Sequence, residues 1–183
     1  WLKHPSFEDL PPQNVLASWK DNFKFIKEDT ENEIKGLRPP QIGALYSILA
    51  HVQAPEDRGI VVMPTGTGKT ETMLSTLVAN MCEKLLVAVP SDSLRTQLSN
   101  KFNTLGLLRE FGMVDESCHN PIVAVINQKF ENENELLEFV SKANVVVTTM
   151  SILAGSQYQQ QITFANSFSH FFVDEAHHSE ATT

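Results

Sequence analysis

Cysteine, long apolar runs and positive charge are all scarce in this chain of 183 residues. Its two cysteines, Cys82 and Cys118, lie far apart and have no CxxC-type neighbour, which argues against a disulfide framework or a zinc ribbon and predicts buried thiols. No apolar run approaches the roughly 18 residues of a membrane-spanning helix, and residues 1–5 lack the shape of a signal peptide. We therefore expect a cytoplasmic protein that has no membrane partner.

Basic residues are outnumbered, because 14 lysines and arginines stand against 22 acidic residues and leave a net charge of −8. This balance argues against a general nucleic-acid binder that works through a basic patch. The acidic excess is uneven: residues 1–109 hold 12 residues of each sign, whereas residues 110–183 hold ten acidic residues and only Lys129 and Lys142 as basic ones. We expect this chain alone to bind DNA or RNA weakly at physiological salt.

The composition that is present suits a packed core, since 42% of the residues are apolar and 20% are charged. Collagen, a coiled coil and wholesale disorder are unlike this composition, and the length suits one large α/β domain. Continuous apolar runs, typical of strands buried on both faces of a parallel sheet, lie at residues 59–63, 85–89, 122–126, 145–149 and 170–174.

Helical spacing fills most of the intervals between these runs. It predicts helices over about 15–34, from Pro39-Pro40 to about residue 52, and over 70–83, 94–105 and 134–143. The polar stretch 151–169 fits no pattern. The alternation predicts a helical extension over residues 1–35 and, over residues 36–183, a doubly wound α/β domain with ligands at the carboxyl ends of its strands.

A glycine-rich loop follows the first predicted strand and precedes a predicted helix. Glycines let successive N–H groups point at a phosphate, and the helix N-terminus adds partial positive charge. Lys69 is expected to reach the β and γ phosphates, and Thr70 to offer its hydroxyl to a magnesium ion. Met63 replaces the usual first glycine, and Glu71 replaces the third glycine that a dinucleotide-binding loop needs. The predicted phosphate site comprises Pro64, Thr65, Gly66, Thr67, Gly68, Lys69 and Thr70.

Two adjacent carboxylates stand at the end of the last predicted strand. Asp174 is expected to hold the magnesium ion, and Glu175 to accept a proton from the attacking water. A zinc site that includes His177 and His178 is the competing interpretation, but adjacent histidines project apart and lack HExxH-type spacing. If the sequence had no phosphate loop, a solvated acidic turn would be an adequate interpretation of Asp174 and Glu175.

The segments MPTGTGKT (63–70) and VDEAHH (173–178) resemble motifs I and II of superfamily-two DEAD/DEAH-type helicases and translocases. Three further segments are similar to motifs of that family in the same order: LRPPQ at 37–41, VPSDSLRTQ at 89–97 and VTTMS at 147–151. The resemblance covers residues 36–178 and implies an α/β, RecA-like P-loop NTPase domain that uses ATP and Mg²⁺. Met63 and the doubled histidine are most similar to the Res-subunit group of restriction enzymes.

The resemblance also implies roles for individual residues. Gln41 would read adenine, because an amide that accepts from N6–H and donates to N7 selects that base, and Arg38 in the same segment would bind the nucleotide cofactor. His177 would relay the state of the γ-phosphate toward the nucleic acid, with an ordinary hydrogen-bonded histidine as the alternative. Arg95 also suits a solvated helix position. The nucleic-acid contacts implied are Pro90, Ser91, Arg95, Thr148 and Thr149.

The function that this resemblance implies is the ATP-binding half of a motor that couples hydrolysis to movement on DNA. Its implied partners are a second RecA-like domain in the same full-length chain and a nuclease or modification subunit. An RNA-dependent DEAH-type helicase or sensor shares the pattern and stays open as an alternative. A small-molecule P-loop kinase should have the strict first glycine and a lid, and a non-catalytic nucleotide switch would gain nothing from Glu175.

The ends of the chain also carry an expectation. The sequence begins without Met and stops at Thr183, shortly after the second motif, so we expect a fragment that is incomplete at its C-terminus. Such a piece should bind nucleotide weakly and neither hydrolyse it at a useful rate nor unwind nucleic acid.

Overall fold

A computed structural model describes residues 10–54 and 58–175. These residues divide into two compact units, a sheet unit (residues 10–17, 82–104 and 120–175) and a loop unit (residues 18–54, 58–81 and 105–119). The described residues form seven helices and four strands, which are α1 (Pro12–Trp19), α2 (Pro39–Val52), α3 (Lys69–Ala79), β1 (Leu85–Val89), α4 (Asp92–Thr104), β2 (Val123–Val125), α5 (Glu133–Ser141), β3 (Val145–Thr149), α6 (Met150–Ala154), α7 (Tyr158–Asn166) and β4 (His170–Val173).

The four strands of the sheet unit are all parallel and lie in the order β2-β3-β1-β4. Strand β1 is paired on both sides, so that Leu86 stands opposite Val146 of β3 and Phe171 of β4. Every residue of β1 and β3 is buried, which is the outcome that continuous apolar runs predict for a parallel sheet covered on both faces. The α/β class and the flanked parallel sheet are therefore confirmed.

The core of the sheet unit lies between the strands and helices α5 and α7. Leu86, Ala124 and Val146 supply the strand side of this cluster, and Leu136 and Phe164 supply the helix side. Helix α4 packs on β1, β2 and β3. The buried amide of Asn144 joins two segments, because its Oδ1 accepts from the Ile122 N–H at 3.1 Å and its Nδ2 donates to the Pro12 carbonyl at 2.9 Å.

The loop unit is built on the packing of α2 against α3. An irregular segment before α2 folds back on itself, with a parallel bridge between Lys27 and Leu37. Gly36 is required at this crossing, because a Cβ there would lie 2.5 Å from the Ile26 carbonyl oxygen. The Trp19 indole N–H donates to the His119 carbonyl at 2.8 Å and so ties two distant segments of this unit together.

The prediction of a strand over residues 59–63 is wrong. Residues 59–63 form no strand, and the side chains of Ile60 and Val62 are 80% and 89% exposed. A strand is stabilised by a neighbour that accepts its N–H groups and packs against its side chains, and a favourable sequence is not sufficient without one. Among the described residues, no other segment pairs with 59–63.

The helix predicted over residues 15–34 is wrong beyond Trp19. Asp21 takes a left-handed φ of 60°, which ends α1. Further on, the Asp29 carboxylate accepts from the backbone N–H groups of Glu31 and Asn32, at 3.0 and 3.2 Å. Such local bonds offer the backbone an alternative to the helix, and here they stabilise a turn closed by the bridge between Asp29 and Ile34.

Helices α6 and α7 occupy the stretch that showed no pattern. Their connection is stabilised by Gln161, whose Nε2 donates to the carbonyls of Leu153, Ala154 and Ser156 at 3.1, 3.3 and 3.0 Å. Helix α6 spans only five residues, and α7 buries Gln160 where an apolar residue is usual, so neither helix shows a clear apolar period.

Within residues 10–54 and 58–175, no helix combines the length and the apolar character that crossing a membrane requires. The division predicted at residue 35 stays a prediction, because the two compact units each draw on separated parts of the sequence.

Candidate functional site

The glycine-rich loop leads directly into helix α3. Gly66 and Gly68 take left-handed φ angles of 79° and 89°, which glycine adopts at little cost. Gly68 is the N-cap residue of α3, and the loop is closed by Thr67, whose N–H and Oγ1 both donate to the Pro64 carbonyl, at 3.3 and 2.6 Å. This turn places the start of a helix, with its inward-facing N–H groups, at the loop.

Lys69 and Thr70 are the first two residues of α3 and are both partly exposed. Their position at the positive end of the helix dipole suits anion binding. The next residue, Glu71, is only 8% exposed and was not singled out in the sequence beyond its failure to be a glycine. An acidic residue in the first turn is favourable toward the dipole, and its position directly after the GKT segment was the available signal.

Arg38 and Gln41 lie beside the loop within the same unit. The Arg38 Nη2 donates to the Gly66 carbonyl at 3.1 Å, and the Gln41 Nε2 donates to the Gly68 carbonyl at 3.2 Å. The Gln41 Oε1 accepts from the Arg38 backbone N–H at 2.8 Å, and Gln41 is 2% exposed. The structure thus brings Gln41, the residue implied for adenine, and Arg38, implied for cofactor binding, next to the residues predicted for phosphate.

The acidic pair follows β4 at the carboxyl edge of the sheet. The Asp174 N–H donates to the Ala88 carbonyl at 2.9 Å and so extends the ladder with β1 by one bond. The Asp174 Oδ1 accepts from the Glu175 backbone N–H at 3.1 Å. Glu175 takes a left-handed φ of 53°, a conformation uncommon for residues other than glycine and enriched at functional sites. His177 and His178 lie outside the described residues.

Pro90 and Ser91 connect β1 to α4. The Ser91 carbonyl accepts from the Arg95 N–H at 2.9 Å, and the Ser91 side chain is exposed at this helix start. The Arg95 guanidinium turns inward: Nη1 lies 3.0 Å from the Asp92 carboxylate and donates to the Ile126 carbonyl at 3.4 Å. Only 12% of the Arg95 side chain is exposed, and its Nε is buried without a partner.

The two threonines at the end of β3 are buried. Thr148 is 0% exposed and its Oγ1 donates to the Ile126 carbonyl at 3.5 Å, the same oxygen that Arg95 contacts. Thr149 is 2% exposed and its Oγ1 lies 3.0 Å from the Ser151 hydroxyl. Their side chains therefore face the protein, and Ser91 is the most open of the residues implied for the nucleic acid.

Metal ligation was predicted for Thr70 and Asp174. A hydroxyl and a carboxylate are both hard oxygen donors of the kind that Mg²⁺ binds, and Thr70 belongs to the loop unit whereas Asp174 belongs to the sheet unit. Among residues 10–54 and 58–175, no cluster of three or more histidine, cysteine or carboxylate side chains is arranged to hold a metal ion by itself.

The match to known families decides what kind of protein carries these features. The family model described as "Type III restriction enzyme, res subunit" matches residues 34–183. The chain belongs to the type III restriction enzyme Res-subunit family. Its domain is a helicase-like RecA-type domain of superfamily two, so the predicted resemblance is confirmed. No curated protein matches the chain.

Membership in the Res-subunit family gives the site a context. The family consists of helicase-like ATPases, and its match begins at residue 34, shortly before Arg38 and Gln41. It therefore includes both the loop and the acidic pair, the two features on which the prediction of an ATPase rests.

Proposed function

We propose that this chain is the ATP-binding part of a restriction-type motor that couples ATP hydrolysis to movement on DNA. The observation that carries the proposal is the loop itself: two glycines in left-handed conformations open helix α3, with the basic residue Lys69 at its first position. A triphosphate placed at this helix start meets N–H groups and partial positive charge together. Lys69 then adds a full positive charge toward the β and γ phosphates.

The base would be bound by Gln41. A primary amide that accepts from N6–H and donates to N7 distinguishes adenine from guanine, which offers two acceptors at the corresponding positions. Arg38 lies at the same place and carries a positive charge beside the loop carbonyl of Gly66. ATP is therefore the nucleotide that this arrangement favours.

Hydrolysis would depend on the acidic pair. Glu175 would accept a proton from the attacking water, and Asp174 together with Thr70 would hold Mg²⁺, which supplies charge neutralisation at the phosphates when bound. The exposed start of α4 at Ser91 supports a contact with a nucleic-acid backbone, and His177 would transmit the state of the γ-phosphate toward it. Arg95, Thr148 and Thr149 would contribute by shaping this edge from within the protein.

The test of the catalytic role is Glu175→Gln in the full-length protein. We expect ATP turnover to fall by about 10²–10⁴-fold with nucleotide affinity retained, because the amide keeps the size of the side chain but cannot accept the proton. Glu138→Gln is the matched control, since Glu138 is an exposed carboxylate on α5 that pairs with Lys142. Unchanged turnover in Glu175→Gln would show that Glu175 is not the catalytic base, whereas absence of turnover in the unmodified full-length protein would favour a nucleotide-binding module.

The nucleic-acid substrate is tested separately. ATP turnover of the full-length protein would be measured with duplex DNA, single-stranded DNA and duplex RNA, and we expect DNA to stimulate it. Stimulation by RNA alone would favour the alternative of an RNA-dependent DEAH-type helicase or sensor. Stimulation by a small phosphate acceptor in place of nucleic acid would favour a kinase.

Residues 1–183 alone should hydrolyse ATP slowly. We propose that a second RecA-like domain supplies arginine fingers, groups that contribute about 10³–10⁵-fold in rate in related phosphoryl-transfer sites. Turnover by the 183-residue chain at the rate of the full-length protein, with nucleic acid present, would contradict this.

A further inference from the structure

The amide of Gln41 is held at both ends by the protein. Its Oε1 accepts from the Arg38 backbone N–H at 2.8 Å, and its Nε2 donates to the Gly68 carbonyl at 3.2 Å. The side chain is 2% exposed, so its orientation is set by packing as well as by these bonds. An amide fixed in this way cannot exchange the places of its oxygen and nitrogen without losing both bonds.

A primary amide has more capacity than these two bonds use. It has two N–H groups and two acceptor lone pairs, so one of each remains. One donor and one acceptor are what adenine requires along its N6 and N7 edge. The two protein bonds decide which end of the amide donates, and because Gln41 is 2% exposed, a base reaches the remaining donor and acceptor only when the neighbouring groups move aside.

The second half of the arrangement is the Arg38 side chain. Its Nη2 donates to the Gly66 carbonyl at 3.1 Å. Gln41 donates to the Gly68 carbonyl, so the two carbonyls that accept these bonds lie on either side of Thr67. In a trans peptide the carbonyl and the following N–H point in opposite directions. The Gly68 carbonyl also accepts from the Thr72 N–H and Oγ1 at 3.1 and 3.2 Å, so it points along α3 and the Lys69 N–H points back toward the loop, with Gln41 as a further donor to the same oxygen.

The geometry points to Arg38 as a positioning residue that joins the base-reading amide to the phosphate loop. Its backbone N–H orients Gln41, and its guanidinium orients the loop through Gly66. This inference rests on the proposed function, since it assumes that the loop binds the phosphates of a nucleotide. It differs from a direct contact between Arg38 and the ligand, because Arg38 acts on the loop before any ligand is bound.

The hydrogen bond from Arg38 to Gly66 and the hydrogen bond from Gln41 to Gly68 have separable consequences. Loss of the Arg38 side chain removes the bond to Gly66 but keeps the backbone N–H that holds Gln41, so phosphate affinity should fall while preference for adenine persists. Loss of the Gln41 amide removes the base contact, so preference for adenine should disappear. Gly68 must stay free of a side chain, because a Cβ there would lie 2.0 Å from the Gln41 Nε2.

The experiment measures binding of inorganic tripolyphosphate, ATP and GTP to the 183-residue chain and its variants. We expect Arg38→Ala to weaken all three by a similar factor of about ten, the effect of losing one charge-assisted hydrogen bond that is partly exposed. Arg38→Lys should recover part of the loss, and Gln41→Ala should bring ATP and GTP to similar affinities. Arg58→Ala, at an exposed arginine of the same unit, is the control. A changed ATP-to-GTP ratio in Arg38→Ala with tripolyphosphate binding intact would overturn the proposal.

A second measurement needs no ligand. Amide hydrogen exchange in the nucleotide-free chain should be faster over residues 66–70 in Arg38→Ala, while the urea midpoint of unfolding stays unchanged. Unchanged exchange over these residues would overturn the positioning role even if binding is weakened. Failure of the unmodified chain to bind both tripolyphosphate and ATP would instead count against the proposed function, and the exchange result would still decide whether Arg38 holds the loop.

Discussion

The sheet unit and the loop unit differ in the interactions that determine their structure. In the sheet unit, β1 and β3 are buried at every position and the backbone is satisfied by neighbouring strands. In the loop unit, glycines at positive φ and carbonyls held by side chains shape a short turn ahead of α3, and residues 60–62 are exposed despite being apolar. The first unit is thus organised by burial and strand pairing, and the second is the one that we propose binds an anion.

This difference shows what each kind of segment requires. A buried strand tolerates exchange among similar apolar residues as long as the volume is kept, because burial and a regular ladder stabilise it. A phosphate loop depends on individual residues, since a φ of 89° at Gly68 and the approach of Gln41 admit no side chain. Substitutions should therefore lower the free energy of unfolding in the sheet unit and nucleotide affinity in the loop unit.

The largest expected effect lies in the core of the sheet unit. Leu136→Ala should lower the free energy of unfolding by about 2–5 kcal/mol, because Leu136 is 1% exposed and its removal leaves a cavity. Leu137→Ala is the matched control, as the adjacent residue on α5 is 44% exposed and should change stability by about 0.5 kcal/mol or less. Urea unfolding measures both. Equal losses would show that α5 does not bury the face that the structure assigns to it.

The next effect is on nucleotide affinity. Gly68→Ala should weaken ATP binding about 100-fold, because a left-handed residue with a Cβ costs roughly 1–2 kcal/mol and the new methyl displaces the Gln41 amide. Gly43→Ala is the control, since a Cβ at this position in α2 meets nothing within 4 Å. Calorimetric titration with ATP and urea unfolding separate binding from folding. Normal affinity in Gly68→Ala would break the contrast between the two units.

A smaller loss is expected from the buried amide of the sheet unit. Asn144→Ala should cost about 1–3 kcal/mol in the free energy of unfolding, because the buried Ile122 N–H loses a hydrogen-bond acceptor and the Pro12 carbonyl loses a donor. The control is Asn100→Ala, at an exposed position of α4. Hydrogen exchange should show faster opening of residues 10–17. Protection of those residues at the level of the unmodified chain would contradict the role of this amide as a link.

The smallest effect is a pH dependence in the loop unit. Burial raises the pKa of the Cys118 thiol from its usual value of 9.0 to about 11, against a weaker opposite influence of the Arg109 charge. As the pH rises, the thiol of the unfolded chain loses its proton before the thiol of the folded chain does. The contribution of the buried neutral thiol to the free energy of unfolding is therefore complete below about pH 9 and is lost as the pH rises toward about 11. Cys118→Ala should show a shallower decline in unfolding midpoint over this range, and identical profiles would contradict the burial of the thiol.

The sheet could be predicted because its signal is local and redundant. The runs at 85–89 and 145–149 are strands with the same bounds, and the runs at 122–126 and 170–174 are strands shortened at their ends. The run at 59–63 has a similar composition and forms no strand, since pairing depends on a partner that the run itself does not encode. The helix predicted beyond Trp19 does not form, because the side chain of Asp29 bonds to the backbone and competes with helix formation.

The sequence offered a set of candidate site residues, which stays a prediction, but it did not offer their contacts. The order of the segments placed Arg38 and Gln41 with the loop residues through resemblance to a family, and the match to the Res-subunit family confirms that resemblance. The direction of Arg95 could not be predicted, because a side chain on the first turns of a helix faces solvent or protein according to what lies across from it. Here the Ile126 carbonyl lies across from it, and the Asp92 carboxylate stands three residues earlier on the same helix.

The sequence by itself determined the α/β class and the parallel sheet, and its motif segments identified the family by resemblance. The class and the sheet follow from composition and from continuous apolar runs, which are local features of the chain. Only the tertiary structure decided that Thr148 and Thr149 are buried, that residues 59–63 have no strand partner among the described residues, and that Gln41 and Arg38 hold the loop carbonyls. These properties depend on groups that lie far apart in the chain and meet only after folding, where distance and burial determine which hydrogen bonds form.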